Sequence, residues 1–121
     1  MRSGSLSGVV VKSIDKAAVR RAVDAYAAEL LQRPEVEEVV VFGSFETDTY
    51  APGSDLDVLI VLRVSALPIH DRAAHYRGGA LPVPLDLFPF TRSELQARAD
   101  APFTRALNAS RWRYRRDASD D

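Results

Sequence analysis

A chain of 121 residues is long enough for one domain, and its 16 basic and 17 acidic residues exclude a general electrostatic attraction to nucleic acid or an anionic membrane. The hydrophobic content of 46% excludes a disordered or fibrous chain and predicts one domain over residues 1–121, with flexible ends at residues 1–8 and 117–121. The absence of cysteine excludes disulfides and thiolate metal sites, and no apolar stretch reaches the roughly 18 residues that span a bilayer. We therefore expect a cytoplasmic protein that has no membrane or nucleic-acid partner.

The first half of the chain shows one helical pattern followed by two strand patterns. Apolar positions recur at helical spacing over residues 16–32, with Asp15 as the expected N-cap and Pro34 ending the helix. Two β-branched runs, Val36–Phe42 and Leu56–Leu62, predict neighbouring buried strands. The polar segment between these strands predicts a loop or a short helix.

The second half predicts further elements, namely helices at residues 67–79, 91–99 and 102–109 and a strand at residues 83–90. Pro84 and Pro89 favour an irregular or exposed strand, because proline cannot donate to a β-ladder. Thr91 and Glu94 have the spacing of a capping box and open the middle one of these helices. The order of elements predicts an α/β (α+β) fold in which helices pack on a small mixed β-sheet.

Residues 111–116 alternate basic and aromatic side chains. A strand here would present Arg111, Arg113 and Arg115 on one face. Such a stripe of arginines could contact RNA or a partner protein. The favoured interpretation is an edge strand that buries Trp112 and Tyr114 and uses its arginines to block edge pairing. His70 and His75 lack a third metal ligand and are interpreted as surface residues.

Three aspartates are the candidate catalytic residues. Asp55 and Asp57 are two apart in a strongly apolar run, so their carboxylates should project to the same side of a strand. Two like charges at the edge of a core repel each other and lose hydration, which favours a cation between them. Asp86 is the lone charge in the third predicted strand and could reach the same ions. An aspartate near a strand end, taken alone, is more often a turn cap or a solvated residue.

Gly43 and Ser44 close the first predicted strand. Glycine lets the backbone approach a ligand, and the following amides can donate to phosphate oxygens. The alternative is a simple turn that ends the strand.

These residues together resemble the signature of the DNA polymerase β-like nucleotidyltransferase superfamily. Gly43-Ser44, ten intervening residues and Asp55-Leu56-Asp57 match its spacing, and Asp86 stands where its third carboxylate is expected. The sequence is similar in particular to the minimal nucleotidyltransferases of bacteria and archaea, closely over residues 36–62 and less so to residue 90.

The resemblance implies metal-dependent transfer of a nucleoside monophosphate, expected to be AMP from ATP, to a hydroxyl group. Asp55, Asp57 and Asp86 would hold two Mg²⁺ ions, with Mn²⁺ as an alternative, and Gly43 and Ser44 would bind the nucleotide phosphates. It also implies a helical partner protein of the HEPN class, a toxin that the chain would adenylylate on tyrosine as an antitoxin, or assembly with a second copy. Two alternatives stay open: a weakly active or inactive module that neutralises its partner by contact, and an aminoglycoside-type enzyme acting on small molecules.

The chain departs from the family pattern just after Gly43-Ser44. Minimal nucleotidyltransferases commonly have an arginine where this chain has Thr47, and here Glu46 and Asp48 flank that position. Loss of a cation beside two acids should weaken triphosphate binding, unless another arginine takes its place.

Overall fold

A computed structural model describes residues 14–116, so the two predicted flexible ends lie outside the described residues. Within that range, five helices and four strands follow one another: α1 (Lys16–Leu31), β1 (Val36–Phe42), α2 (Ser44–Thr47), β2 (Leu56–Leu62), α3 (Ile69–Tyr76), β3 (Leu85–Thr91), α4 (Arg92–Ala97), α5 (Pro102–Ala109) and β4 (Trp112–Arg115). Over the same residues, no helix combines the length and the apolar character that crossing a membrane requires.

The four strands form one mixed sheet in the order β3-β2-β1-β4. Strand β1 pairs antiparallel with both β2 and β4, whereas β2 and β3 are parallel. Parallel neighbours need a crossover connection, and α3 lies in the segment that connects β2 to β3. The predicted α/β fold with a small mixed sheet is confirmed.

Helix α1 covers one face of the sheet. Its N-cap is Asp15 as predicted, because the Asp15 carboxylate accepts a hydrogen bond of 3.1 Å from the backbone amide of Ala18. The helix ends at Leu31, one residue before the predicted end. Its apolar side is buried in the core through five residues: Val19, Val23, Tyr26, Ala27 and Leu30.

The sheet separates two hydrophobic cores, because alternate strand residues point to opposite faces. The first core lies under α1 and contains Val41, Val58 and Trp112. The second lies under α4 and α5 and is built from Val40, Phe42, Leu59, Val61 and Leu95, with Phe88, Phe90 and Phe103 packed against it. We call the face that carries Phe42 and Leu59 the α5 face.

The second half of the chain follows the predicted order with shifted boundaries. Strand β3 begins two residues later than predicted and includes Pro89, which a strand at the edge of the sheet tolerates. Helix α3 is shorter than predicted, and α4 ends at Ala97 instead of residue 99. The capping box is present, since Thr91 Oγ1 accepts from the Glu94 amide at 3.2 Å and a Glu94 carboxylate oxygen accepts from the Thr91 amide at 2.8 Å.

Strand β4 lies at an edge of the sheet, as the interpretation of residues 111–116 predicted, whereas a role of its arginines in blocking edge pairing stays a prediction. Trp112 is buried in the first core, whereas Tyr114 is only partly buried. The guanidinium groups of Arg113 and Arg115 each donate to the same oxygen of the buried Glu38 at 3.0 Å. These two arginines therefore neutralise a buried carboxylate, a role that the sequence pattern did not predict. His70 and His75 are exposed, as predicted.

Candidate active site

Asp57 and Asp86 are direct partners across the parallel pairing of β2 and β3. Asp57 is also paired with Phe42 of β1, so the carboxylate lies on the α5 face of the sheet. Asp57 is partly buried and Asp86 is exposed. The strand register thus brings together two of the three aspartates that the sequence singled out.

The pKa of Asp57 responds to both of the other aspartates. Burial raises the pKa of its carboxyl group, and the nearby charges of Asp86 and Asp55 raise that pKa further. The structure corrects one detail: Asp55 precedes β2 and is exposed, so it is not a strand residue beside Asp57. Over residues 14–116, no group of three or more His, Cys, Asp or Glu side chains is arranged to hold a metal ion. The carboxylates interact, but they do not form a finished set of ligands.

Gly43 brings the turn after β1 against Asp57. Its φ of 80° and ψ of −152° lie in a region that essentially only glycine occupies. A Cβ atom at this position would collide with Oδ2 of Asp57. Glycine is therefore needed twice, for the backbone conformation and for the close approach of the turn to the carboxylate. The sequence predicted a close approach to a ligand, and in the structure the near neighbour is Asp57.

The single turn of α2 follows directly from Gly43. The amides of Glu46 and Thr47 both donate to the Gly43 carbonyl at 3.1 Å, and Thr47 Oγ1 donates to the same oxygen at 3.2 Å. The buried Phe45 stacks on Tyr50 with 4.8 Å between the ring centroids. The Thr47 side chain therefore folds back onto the turn. The turn itself is held in place by Phe45, which packs into the first core.

The two acids that flank Thr47 have partners elsewhere in the fold. Glu46 accepts a hydrogen bond of 3.2 Å from the backbone amide of Arg111, and Asp48 forms an ion pair with Lys16. These contacts join residues 65 and 32 positions apart in the chain, so no local sequence signal could have shown them. Each acid beside the turn is thus held by a donor that the sequence analysis did not identify.

The chain matches a family model and is similar to a solved structure. The family described as "Nucleotidyltransferase domain" matches residues 23–105, a range that contains Gly43, Ser44 and all three aspartates. The crystal structure of a candidate nucleotidyltransferase from Sulfolobus solfataricus is similar to this chain, with a TM-score of 0.50 and 21% sequence identity over 73% of this chain and 85% of that one. This likeness supports the nucleotidyltransferase fold. No curated protein matched the sequence significantly.

Proposed function

Because this chain belongs to the nucleotidyltransferase domain family, we propose that it transfers AMP from ATP to a hydroxyl group of an acceptor. The observation that carries the proposal is the position of Asp57, which is close enough to two other carboxylates to feel their charge and lies against the glycine turn. Such an arrangement suits the binding of a metal-complexed triphosphate, because metal ligands and phosphate donors would then be adjacent.

The three aspartates fit hard divalent cations. Burial and the nearby charges of Asp86 and Asp55 raise the pKa of Asp57, and within residues 14–116 no basic side chain forms a salt bridge with Asp55, Asp57 or Asp86. Carboxylate oxygens are the preferred ligands of Mg²⁺ and Mn²⁺. Asp55 and Asp86 are exposed, so their side chains can turn toward Asp57 without repacking the core. Two bound Mg²⁺ ions would supply the positive charge that neutralises the triphosphate oxygens.

The chain's own residues would then divide the work of in-line displacement. The Gly43-Ser44 turn would hold the nucleotide phosphates, and Asp55 and Asp57 would hold the cations. Asp86 would accept the proton of the acceptor hydroxyl while the oxygen of that hydroxyl bonds to the α-phosphorus. The bond from that phosphorus to the bridging oxygen breaks, and pyrophosphate leaves.

We propose further that the acceptor is a tyrosine of a HEPN-type helical protein and that the chain acts as its antitoxin. The support is the resemblance of residues 36–62 to minimal nucleotidyltransferases. Contact-based neutralisation and transfer to an aminoglycoside-type small molecule are the competing functions, and both are outcomes of the test below.

The test is incubation of the purified protein with Mg²⁺ and labelled ATP, with and without the protein encoded by the neighbouring gene. The double variant Asp55→Asn/Asp57→Asn removes the carboxylates. Asp71→Asn is the control, because this exposed acid lies in the first turn of α3, which follows the opposite end of β2. Label on the partner with wild type and Asp71→Asn, but not with the double variant, would support protein adenylylation. A stable complex without label would favour contact-based neutralisation, and label on an added aminoglycoside alone would favour the small-molecule function.

A further inference from the structure

Arg111 lies at the end of the sheet where the glycine turn begins. Strand β4 pairs antiparallel with β1, with Trp112 opposite Val41, so the residue before Trp112 lies beside the end of β1. The backbone amide of Arg111 donates to Glu46 in α2 at 3.2 Å. Arg111 is therefore attached to the same short helix that follows Gly43.

Strand alternation assigns Arg111, the residue directly before β4, to the face of the sheet that carries Asp57 and Asp86. Trp112, the first residue of β4, is buried in the first core under α1, so continuing the alternation one residue back directs Arg111 toward the α5 face. Phe42 and its strand partner Asp57 lie on that same face. The arginine and the carboxylates thus share one face and one end of the sheet.

The backbone around Arg111 is held firmly while its side chain is exposed. Ser110 Oγ donates to the Val41 carbonyl at 2.6 Å and accepts from the Trp112 amide at 3.1 Å, and both flanking residues are buried. Within residues 14–116, the Arg111 guanidinium makes no hydrogen bond or salt bridge. The next arginine on this face, Arg113, is already bound to Glu38 and to two backbone carbonyls.

We propose that the guanidinium of Arg111 binds the phosphates of the nucleoside triphosphate and supplies the positive charge that is absent at Thr47. This inference rests on the proposed function, because it assigns a residue to the phosphate site of that reaction. A planar guanidinium forms paired, charge-assisted hydrogen bonds with phosphate oxygens. It would also offset the negative charge of Glu46, whose carboxylate accepts a hydrogen bond from the Arg111 amide.

The test is calorimetric binding of magnesium tripolyphosphate and of MgATP to the full chain. Tripolyphosphate isolates phosphate recognition from the identity of the base. Arg111→Ala should weaken binding of both probes by roughly tenfold, and Arg111→Lys, which keeps the charge without the planar group, should weaken it less. The matched control is Arg63→Ala, since Arg63 is exposed and follows β2 at the far end of the sheet. It should bind both probes like the wild type.

The outcomes distinguish a failure of the role of Arg111 from a failure of the proposed nucleotidyl transfer. Wild-type protein that binds neither probe in Mg²⁺ would contradict both the proposed function and the role of Arg111. Wild-type binding with equal affinity in Arg111→Ala would overturn only the role of Arg111. Equal losses in Arg111→Ala and Arg63→Ala would also overturn it, because the effect would then be one of net charge. An unfolding temperature of Arg111→Ala within error of the wild type excludes misfolding as the cause of weaker binding. If Arg111→Ala unfolds at a lower temperature, Arg111→Gln replaces it in both the binding and the unfolding measurements.

Discussion

Asp57 and Asp86 face each other as register partners on two parallel strands, and burial together with the charge of Asp86 raises the pKa of Asp57. Like charges at such close quarters destabilise a folded protein unless a cation joins them. The arrangement therefore couples the stability of the unliganded fold to metal binding, and this coupling can be measured.

Asp57→Asn should stabilise the metal-free protein by a fraction of a kcal/mol, about 0.5, because it removes repulsion at a partly exposed site. The same variant should lose nucleotidyl transfer. Thermal unfolding in EDTA and in Mg²⁺ checks the first effect: wild type should gain stability on adding Mg²⁺, whereas Asp57→Asn should gain much less. If metal-free Asp57→Asn unfolds at a temperature well below that of the wild type, repulsion at Asp57 does not destabilise the metal-free fold.

Gly43→Ala should destabilise the protein by about 2–4 kcal/mol, because a strained backbone conformation and a collision with Asp57 add together. Gly53→Ala is the matched control, since Gly53 also has a positive φ, of 90°, but a Cβ atom there would meet nothing within 4 Å. Its cost should be limited to backbone strain, about 1 kcal/mol. Denaturant unfolding of both variants gives the difference, and equal costs would show that contact with Asp57 is unimportant.

The buried Arg72 forms a paired interaction with Glu94, with distances of 2.6 and 3.0 Å, and connects α3 to α4. The hydrogen bonds from Arg72 lower the pKa of Glu94 from 4.5 to about 2, against the opposing effect of burial. Because the folded state has the lower pKa, this contribution is complete above about pH 5 and is lost as the pH falls toward 2. It should amount to at most about 3 kcal/mol.

The measurement is the free energy of unfolding between pH 3 and pH 6 for wild type and Glu94→Gln. The variant should be less stable at pH 6 and should lose less stability on acidification. Parallel pH profiles would show that other carboxylates cause the acid sensitivity.

Ser110→Ala should cost about 1–2 kcal/mol, because the buried hydroxyl satisfies both the Val41 carbonyl and the Trp112 amide. Ser93→Ala removes an exposed hydroxyl and should stay within about 0.5 kcal/mol of the wild type. Unfolding by denaturant compares the two variants. A loss in Ser110→Ala no larger than that in Ser93→Ala would mean that Ser110 does not fasten β4 to β1.

Local features of this chain were readable from its sequence, because they depend on residues a few positions apart. The β-branched runs predicted β1 and β2 with correct boundaries, and the spacing of Thr91 and Glu94 predicted a capping box that is present. The order of helices and strands predicted the α/β fold. The motif that begins at Gly43 indicated the family to which the chain belongs. The roles of the three aspartates in metal binding, and of Gly43 and Ser44 in phosphate binding, stay predictions.

Strand order and register were decided only by the tertiary structure, since they depend on how distant segments pack. They make Asp86 the direct partner of Asp57 and place Asp55 outside the strand. They also bring Arg111 to Glu46 across 65 positions of sequence, while Arg113 is bound to Glu38. A sequence pattern shows which charges a strand carries, but the free energy of each charge depends on its neighbours in space. For this reason an arginine stripe that looked uniform in the sequence separates into two arginines that neutralise a buried acid and a third, Arg111, whose guanidinium binds no acid within residues 14–116.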